Sequence, residues 1–287
     1  MHARFPKNFV LEDRLERYAD AIEIVPAAYR GRWTQACYPL GEDGSAQVQE
    51  PCRQNAFRAV HLDLGCGKGA YVIEMAKRNP DVLFIGMDYE PICIAYAAQH
   101  VLESGVHNAV IIPGTASKLG KFFAPGELSA ITINFPTPHP KKRHASERLT
   151  TAANLASFRP LLAMGGTITL RTDSQPLFDY SLPQFEAAGY RTRWTSRDDR
   201  ADHPETPLTE YEIRLSAEGA TVHGICAEPG PQPTEQQLTD ALAQPQSLYD
   251  YVQDSIWNDR SAYVPHGMGY AITNLRNHRD RLAQAGR

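Results

Sequence analysis

Short apolar runs alternate with amphipathic stretches from residue 59 onward. The run AVHLDL ends in a glycine-rich turn, and AYVIEMAKR follows it with apolar residues at helical spacing. The runs DVLFIGMD, AVIIP, LSAITINF and TITLRTD are nearly continuously hydrophobic, as expected of strands buried on both faces. Strands that alternate with helices are typical of βαβ units, so the pattern predicts a doubly wound α/β fold with a mostly parallel sheet.

Proline and glycine mark the predicted ends of the helices. Pro91 lies in the first turn of the helix ICIAYAAQHVLES, which Gly105 ends. A later helix is predicted over residues 148–163, stopped by Gly165 and Gly166. Two further β segments, YRTRWTS and YEIRLSA, would complete a sheet of seven strands.

Three regions are predicted along the chain. Residues 1–58 form an N-terminal segment without a strong period, and residues 59–228 form the α/β domain. Residues 229–287, called the C-terminal extension below, begin with the linker-like PGPQPTEQQ and continue as a helical appendage. We interpret the aromatic residues of this extension as packing residues: Tyr249, Tyr251, Trp257 and Tyr263.

Composition narrows the function classes. The chain has 287 residues, 42% of them hydrophobic and 22% charged, which is typical of a soluble globular protein. The net charge of −4 argues against non-specific coating of nucleic acid, although local basic clusters leave RNA binding open. Five cysteines without a CxxC pair favour a reducing cytoplasm and argue against structural zinc. No apolar run reaches membrane-spanning length, and the N-terminal MHARFPKNFV lacks the apolar core of a signal peptide. The sequence leaves the oligomeric state open between a monomer and a homodimer.

The first strand leads into a glycine-rich loop, HLDLGCGKGAY. Gly65, Gly67 and Gly69 follow the strand and open a helix, where free backbone amides and the lack of side chains let a ligand approach. Asp63 precedes the first glycine and would repel a diphosphate, but it suits a ligand with an amino group and a sulfonium. Asp88 ends the second strand, where a carboxylate can accept hydrogen bonds from ribose hydroxyls.

These features favour S-adenosylmethionine over a nicotinamide dinucleotide as the cofactor. The dinucleotide pattern G-x-G-x-x-G would place its third glycine at residue 70, which is Ala70 here, and a P-loop pattern is absent. Thr115 follows the third strand, where a contact to the adenine edge would fall. The competing hypothesis is a nicotinamide-dependent oxidoreductase. Equilibrium binding of NADH compared with S-adenosylmethionine would distinguish the oxidoreductase from a methyltransferase.

The loop after the fourth strand reads NFPTPHPKKRH, residues 134–144, and is called the signature loop below. It is expected over the carboxyl edge of the sheet, beside the cofactor. Three prolines stiffen it, and Lys141 with its basic neighbours gives it phosphate-binding character. His139 and His144 lack cysteine or carboxylate partners at ligand spacing, so we predict no metal.

The signature loop resembles that of the bacterial tRNA (guanine-N7)-methyltransferase family, approximately N-F-[SP]-D-P-W-P-K-x-R-H. Two further segments resemble the family in order: RTDSQPLFDYSL, residues 171–182, and PLTEYEIRLSAEG, residues 207–219. The resemblance covers roughly residues 1–228 and implies a Rossmann-like class I methyltransferase fold. It also implies methyl transfer from S-adenosylmethionine to guanine N7 in the variable loop of tRNA.

The resemblance implies roles for individual residues. Asp63, Asp88 and Thr115 stand where the family binds S-adenosylmethionine. Thr137 stands where the family has a carboxylate near the methyl-transfer centre, and it is therefore both the predicted catalytic residue and a predicted cofactor contact. The residues that stand where the family holds tRNA and its target guanine are Lys141, Asp173, Thr209, Glu210, Tyr211 and Glu212.

Several residues depart from the family pattern. Thr137 replaces an aspartate, His139 replaces a tryptophan, and Thr115 replaces a common aspartate or asparagine. A threonine cannot counter positive charge. The alternative function is therefore a drifted relative that binds S-adenosylmethionine or RNA but methylates another substrate or none.

Overall fold

The computed structural model describes residues 10–35, 57–265 and 267–285. Its seven-stranded sheet has the order β3-β2-β1-β4-β5-β7-β6. The strands are β1 Ala59–Leu64, β2 Val82–Asp88, β3 Ala109–Pro113, β4 Leu128–Asn134, β5 Leu162–Thr172, β6 Tyr190–Ser196 and β7 His223–Pro229. Strand β1 pairs in parallel with β2 and β4, β2 pairs in parallel with β3, and β7 pairs antiparallel with β5 and β6. The predicted α/β class with a mostly parallel sheet is confirmed.

Helices connect and flank the strands. They are α1 Leu11–Arg17, α2 Ala70–Arg78, α3 Pro91–Ser104, α4 Leu119–Phe122, α5 Ala152–Phe158, α6 Gln175–Ala187, α7 Asp199–Asp202, α8 Glu210–Ala217, α9 Glu235–Ala243, α10 Asp254–Asn258 and α11 Gly269–Ala285. The chain divides into two compact units. The first holds the described residues up to Thr132 with Pro160–Gly166, and the second holds Ile133–Arg159 and the described residues from Thr167 onward.

In the first unit, the sequence dictates the elements directly. Every residue of β2 before Asp88 is buried, as the near-continuous apolar run requires. Helix α3 starts with Pro91 at its first turn and ends at Gly105, whose φ of 68° is the left-handed conformation that stops a helix. Its buried face packs with α2 and β2 in one apolar core.

In the second unit, the predicted strand YEIRLSA is wrong, because these residues form helix α8. Thr209 accepts a hydrogen bond from the Glu212 backbone N–H at 3.2 Å and so caps the helix. Burial follows a helical period, since Glu212 and Leu215 are buried while Ile213 is 51% exposed. The seventh strand is His223–Pro229 instead. Apolar and polar residues alternate in YEIRLSA, which is typical of a strand, but here they belong to a helix.

The helix predicted over residues 148–163 is also corrected. The helix is limited to Ala152–Phe158, capped by Thr151, and β5 already begins at Leu162. Gly165 and Gly166 therefore lie within a strand and do not stop a helix. Gly166 tolerates no side chain there, because a Cβ would lie 2.9 Å from the Ala163 carbonyl oxygen.

The C-terminal extension is helical, as predicted, and its helices are α9, α10 and α11. The segment before α9 is anchored, since the Gly230 N–H donates to the Gly189 carbonyl at 2.9 Å. Buried apolar residues of the extension form one core with helix α6, and three of its aromatic residues pack against that core. The members are Leu177, Tyr180, Leu248, Val252, Ile256, Met268 and Ile272, with Tyr249, Tyr251 and Trp257 packed against them. The predicted packing role of these three aromatic residues is confirmed, whereas the region boundaries 1–58, 59–228 and 229–287 stay predictions.

Candidate functional site

The carboxyl ends of β1 and β2 bring the glycine-rich loop and Asp88 together. In the parallel register, Leu64 lies opposite Met87, so the loop leaves β1 beside the end of β2. The Gly65 N–H donates to the Met87 carbonyl at 2.8 Å, and the Gly67 N–H donates to Asp88 Oδ2 at 2.9 Å. The glycine-rich loop is therefore hydrogen-bonded to Asp88, the carboxylate predicted to bind ribose.

All three glycines of the loop have the left-handed backbone conformation. Gly65, Gly67 and Gly69 have φ values of 83°, 55° and 80°, which side chains disfavour. A Cβ on Gly69 would lie 3.1 Å from the Ala97 Cβ, so this glycine also lets α2 approach α3. A Cβ on Gly65 or Gly67 would meet no atom within 4 Å, so the backbone there borders open space that a ligand can enter.

Two carboxylates border this loop, of which Asp63 is buried and Asp88 is partly buried, and together with residues 65–69 they are called the acidic corner below. Asp63 is 4% exposed and accepts a hydrogen bond from Thr132 Oγ1 at 3.0 Å. Asp88 accepts backbone N–H bonds from Glu90 on Oδ1 and from Gly67 on Oδ2, each at 2.9 Å. Burial raises the pKa of Asp88, although these backbone hydrogen bonds oppose the shift.

Thr115 lies at the same edge of the first unit. The Gly114 N–H donates to the Asp88 carbonyl at 2.8 Å, and Thr115 then begins the 3-10 turn Ala116–Lys118. Its Oγ1 lies 3.0 Å from Ser117 Oγ. All the predicted cofactor residues other than Thr137 lie at this edge of the first unit, and Thr137 belongs to the second unit.

The signature loop follows β4 and belongs to the second unit. Phe135 and His139 have φ values of 50° and 46°, a left-handed conformation that is strained for residues other than glycine. The guanidinium of buried Arg148 donates to the carbonyls of Pro138 and His139, with His139 at 2.8 Å from Nη2. Such strain persists only where surrounding contacts hold the backbone in place, so these contacts determine the conformation of the loop.

Thr137 and Lys141 are both exposed on this loop. His139 and His144 instead share one carboxylate, because their Nδ1 atoms lie 3.2 and 2.6 Å from the two oxygens of Glu147. Burial lowers the pKa of His139, while Glu147 opposes this shift. Within residues 10–35, 57–265 and 267–285, no group of three side chains is placed to hold a metal ion.

Asp173 follows β5 and is 7% exposed. Tyr263, from the C-terminal extension, donates its phenol O–H to Asp173 Oδ2 at 2.6 Å. The interpretation of Tyr263 as a packing residue therefore missed a polar contact to a predicted substrate residue. Nothing local in the sequence signals a pair 90 residues apart.

The segment Thr209–Glu212 forms the start of α8. The ring of Tyr211 lies 5.3 Å from that of Phe135, measured between centroids. Glu212 is 3% exposed, and its Oε1 accepts from Arg200 Nε at 2.9 Å and Nη2 at 2.6 Å. This ion pair had not been predicted, and neither had the pair of Arg171 Nε with Asp199 Oδ2 at 2.7 Å.

Comparison with known proteins identifies the family. A family model described as "Putative methyltransferase" matches residues 58–225. A tRNA (guanine-N(7)-)-methyltransferase of Geobacillus thermodenitrificans is 35% identical over 222 residues, which are 77% of this chain and 95% of that protein. A protein of the same name from Streptococcus pneumoniae is 38% identical over 170 residues, 59% of this chain and 81% of that protein.

A solved structure supports the fold. The 16S rRNA methyltransferase KamB superposes with a TM-score of 0.50 at 15% identity, over 61% of this chain and 90% of KamB. No described helix is long and apolar enough to cross a membrane. The family model, the curated relatives and the doubly wound sheet agree, and the chain belongs to the tRNA (guanine-N7)-methyltransferase family.

Proposed function

We propose that this protein transfers a methyl group from S-adenosylmethionine to N7 of a guanine in the variable loop of tRNA. The acidic corner carries the proposal, because a buried carboxylate, a partly buried carboxylate and three left-handed glycines border open space at the end of β1. The named activity of relatives that are 35% and 38% identical supports the choice of substrate.

The residues of the acidic corner fit S-adenosylmethionine. Asp63 suits the cationic amino group, the amides of the glycine loop approach the ligand closely, and Asp88 accepts from the ribose hydroxyls. We propose Thr115 for the adenine edge. When bound, the cofactor supplies a methyl group on a sulfonium, and its transfer is downhill.

The protein's own residues then have to orient the base. Guanine N7 carries a lone pair and no proton, so no side chain has to act as a general base. Alignment of N7 is therefore the main requirement. We propose that Asp173 accepts from the N1 and N2 donors of guanine, that Lys141 contacts phosphate, and that Thr209, Glu210 and Tyr211 line the substrate side. Glu212 supports them through its ion pair with Arg200.

A variant at Thr137 measures how much the departure from the family's aspartate affects methyl transfer. Thr137→Asp restores the carboxylate of the family pattern, and nearby negative charge stabilises the positive charge that develops on the purine. We expect the rate of methyl transfer to rise roughly tenfold. Ser146→Asp adds the same charge at another exposed position and should leave the rate unchanged. A fall in rate for Thr137→Asp would show that the loop has been rebuilt around threonine.

Methyl transfer from labelled S-adenosylmethionine to unmodified tRNA, with nucleoside mass spectrometry, tests the proposal itself. Formation of 7-methylguanosine is the expected result. Absence of transfer, with S-adenosylmethionine still bound in a separate titration, would instead support a relative that acts on another substrate. Tighter binding of NADH than of S-adenosylmethionine would remove the methyltransferase proposal altogether.

A further inference from the structure

The C-terminal extension lies beyond the part of the chain that the family model matches, which ends at residue 225. Within the second unit it nevertheless contacts two of the three segments that bear the predicted substrate residues, the signature loop and the residues after β5. These contacts are made by backbone and side-chain groups at several separate points of the extension.

The extension contacts the residues that follow β5. Tyr263 Oη donates to Asp173 Oδ2 at 2.6 Å, and Ser174 Oγ lies 3.9 Å from the sulfur of Met268. The next residue is held as well, since Gln175 Nε2 donates to the Tyr251 carbonyl at 3.1 Å. Three successive residues at the carboxyl end of β5 are thus bonded to the extension.

The extension also contacts the signature loop. The Leu248 N–H donates to the Pro140 carbonyl at 3.0 Å. Nη2 of Arg148 donates at 2.8 Å to the carbonyls of both His139 and Gln246, so one guanidinium joins the loop to the extension. The extension therefore holds the loop and the Asp173 segment in fixed positions within the second unit.

Tyr263 is suited to orient a carboxylate. Burial and the adjacent Asp173 both raise the pKa of Tyr263, so its phenol keeps its proton and acts as a donor at neutral pH. A carboxylate can accept about four hydrogen bonds, and a bond from a neutral phenol does not cancel its charge. Asp173 thus stays an acceptor whose plane is fixed by one strong contact.

We propose that Tyr263 is a positioning residue that orients Asp173 toward the Watson–Crick edge of the target guanine. This inference rests on the proposed function. Asp173 then reads the N1 and N2 donors of the base, as enzymes that act on an extruded base commonly do. Tyr263 thus influences base selection through Asp173, from outside the region that the family model matches.

The test compares guanine with inosine at the target position of tRNA, since inosine lacks the N2 amino group but keeps N7. Tyr263→Phe should lower kcat/KM about tenfold for the guanine substrate and by a smaller factor for inosine, which keeps only the N1 donor, so the preference for guanine shrinks. The ratio is measured on one preparation, so a loss of folded protein cancels. The matched control is Tyr249→Phe, because Tyr249 Oη is buried without a hydrogen-bond partner among the described residues.

A second variant tests whether Tyr263 acts through Asp173. Asp173→Asn should also reduce the guanine preference, and adding Tyr263→Phe to it should reduce the preference little further. An unchanged ratio in Tyr263→Phe, with the wild type active, would overturn this inference alone. A faster Tyr263→Phe enzyme would also overturn it, because the tyrosine would then compete for Asp173. A wild type that forms no 7-methylguanosine would overturn the proposed function and this inference together.

Discussion

The acidic corner and the region around Asp199 both contain carboxylates that are at least partly buried, yet these carboxylates have different hydrogen-bond partners. Asp88 accepts from the backbone amides of Gly67 and Glu90, which are neutral donors. Asp199 instead bonds to the guanidinium of Arg171, and it lies 2.9 Å from His203 Nδ1. Neutral donors leave a negative charge in place, whereas a guanidinium cancels it.

Neutral donors therefore suit a carboxylate that binds a ligand, whereas an arginine partner suits a carboxylate with a structural role. A carboxylate held by amides keeps its charge and can still accept hydrogen bonds from a ligand, and the raised pKa of Asp88 reflects its partial burial. A buried carboxylate paired with arginine fixes the neighbouring backbone instead. Asp173 also accepts a hydrogen bond from a neutral donor, the phenol of Tyr263. Exposure alone does not distinguish these carboxylates, since Asp63, Asp173, Asp199 and Glu212 are all at most 7% exposed.

Breaking the arginine pair should have the largest effect on stability. Arg171→Met leaves Asp199 buried without its guanidinium, and breaking a buried pair in this way costs about 3–5 kcal/mol of the free energy of unfolding. Urea denaturation measures it. Arg58→Met is the control, because the Arg58–Asp81 ion pair is exposed and its loss should have no measurable effect. Equal effects of the two variants would contradict the distinction drawn between the regions.

Acidification should act on the acidic corner through Asp88. Because its pKa is raised, Asp88 takes up its proton at a higher pH than an ordinary aspartate, and the protonated form loses acceptor capacity. The affinity for S-adenosylmethionine should therefore fall as the pH is lowered, starting above the usual aspartate range. Calorimetric titration at several pH values measures this dependence.

The matched variants for this prediction lie at opposite ends of β2. Asp88→Asn should bind S-adenosylmethionine about tenfold more weakly at neutral pH and lose the acid-dependent decrease. Asp81→Asn, at the exposed start of the strand, should behave as the wild type. An affinity that rises on acidification would remove Asp88 from the cofactor site.

The smallest effect is expected in the glycine loop. Gly67→Ala places a Cβ in open space, but its φ of 55° costs about 1–2 kcal/mol of stability for an alanine. Gly120→Ala is the control, because Gly120 lies in α4 at an ordinary φ with open space around it, and alanine is the better helix former. Thermal unfolding should separate the two substitutions. A Gly67→Ala protein as stable as the wild type would show that the loop can change its backbone conformation.

The sequence by itself determined the central elements of the first unit, although the helix predicted to run to residue 163 was wrong where β5 begins at Leu162. Strand β1, helix α2 and strand β3 have the predicted bounds, because continuous apolar runs, glycine and proline are local signals that act through neighbouring residues. The glycine loop and Asp88 were predicted for the same reason. The order of elements along the chain was sufficient to place them at one edge of a parallel sheet.

The tertiary structure alone decided the details of the second unit. Helix α8 was predicted as a strand, because Tyr211, Ile213 and Leu215 alternate with polar residues. Only the structure shows that Thr209 caps a helix here and that Glu212 is buried. Arg171 with Asp199 and Tyr263 with Asp173 are pairs of residues 28 and 90 positions apart. No local pattern marks such pairs, since their partners meet through packing of the whole chain and not through the period of one element.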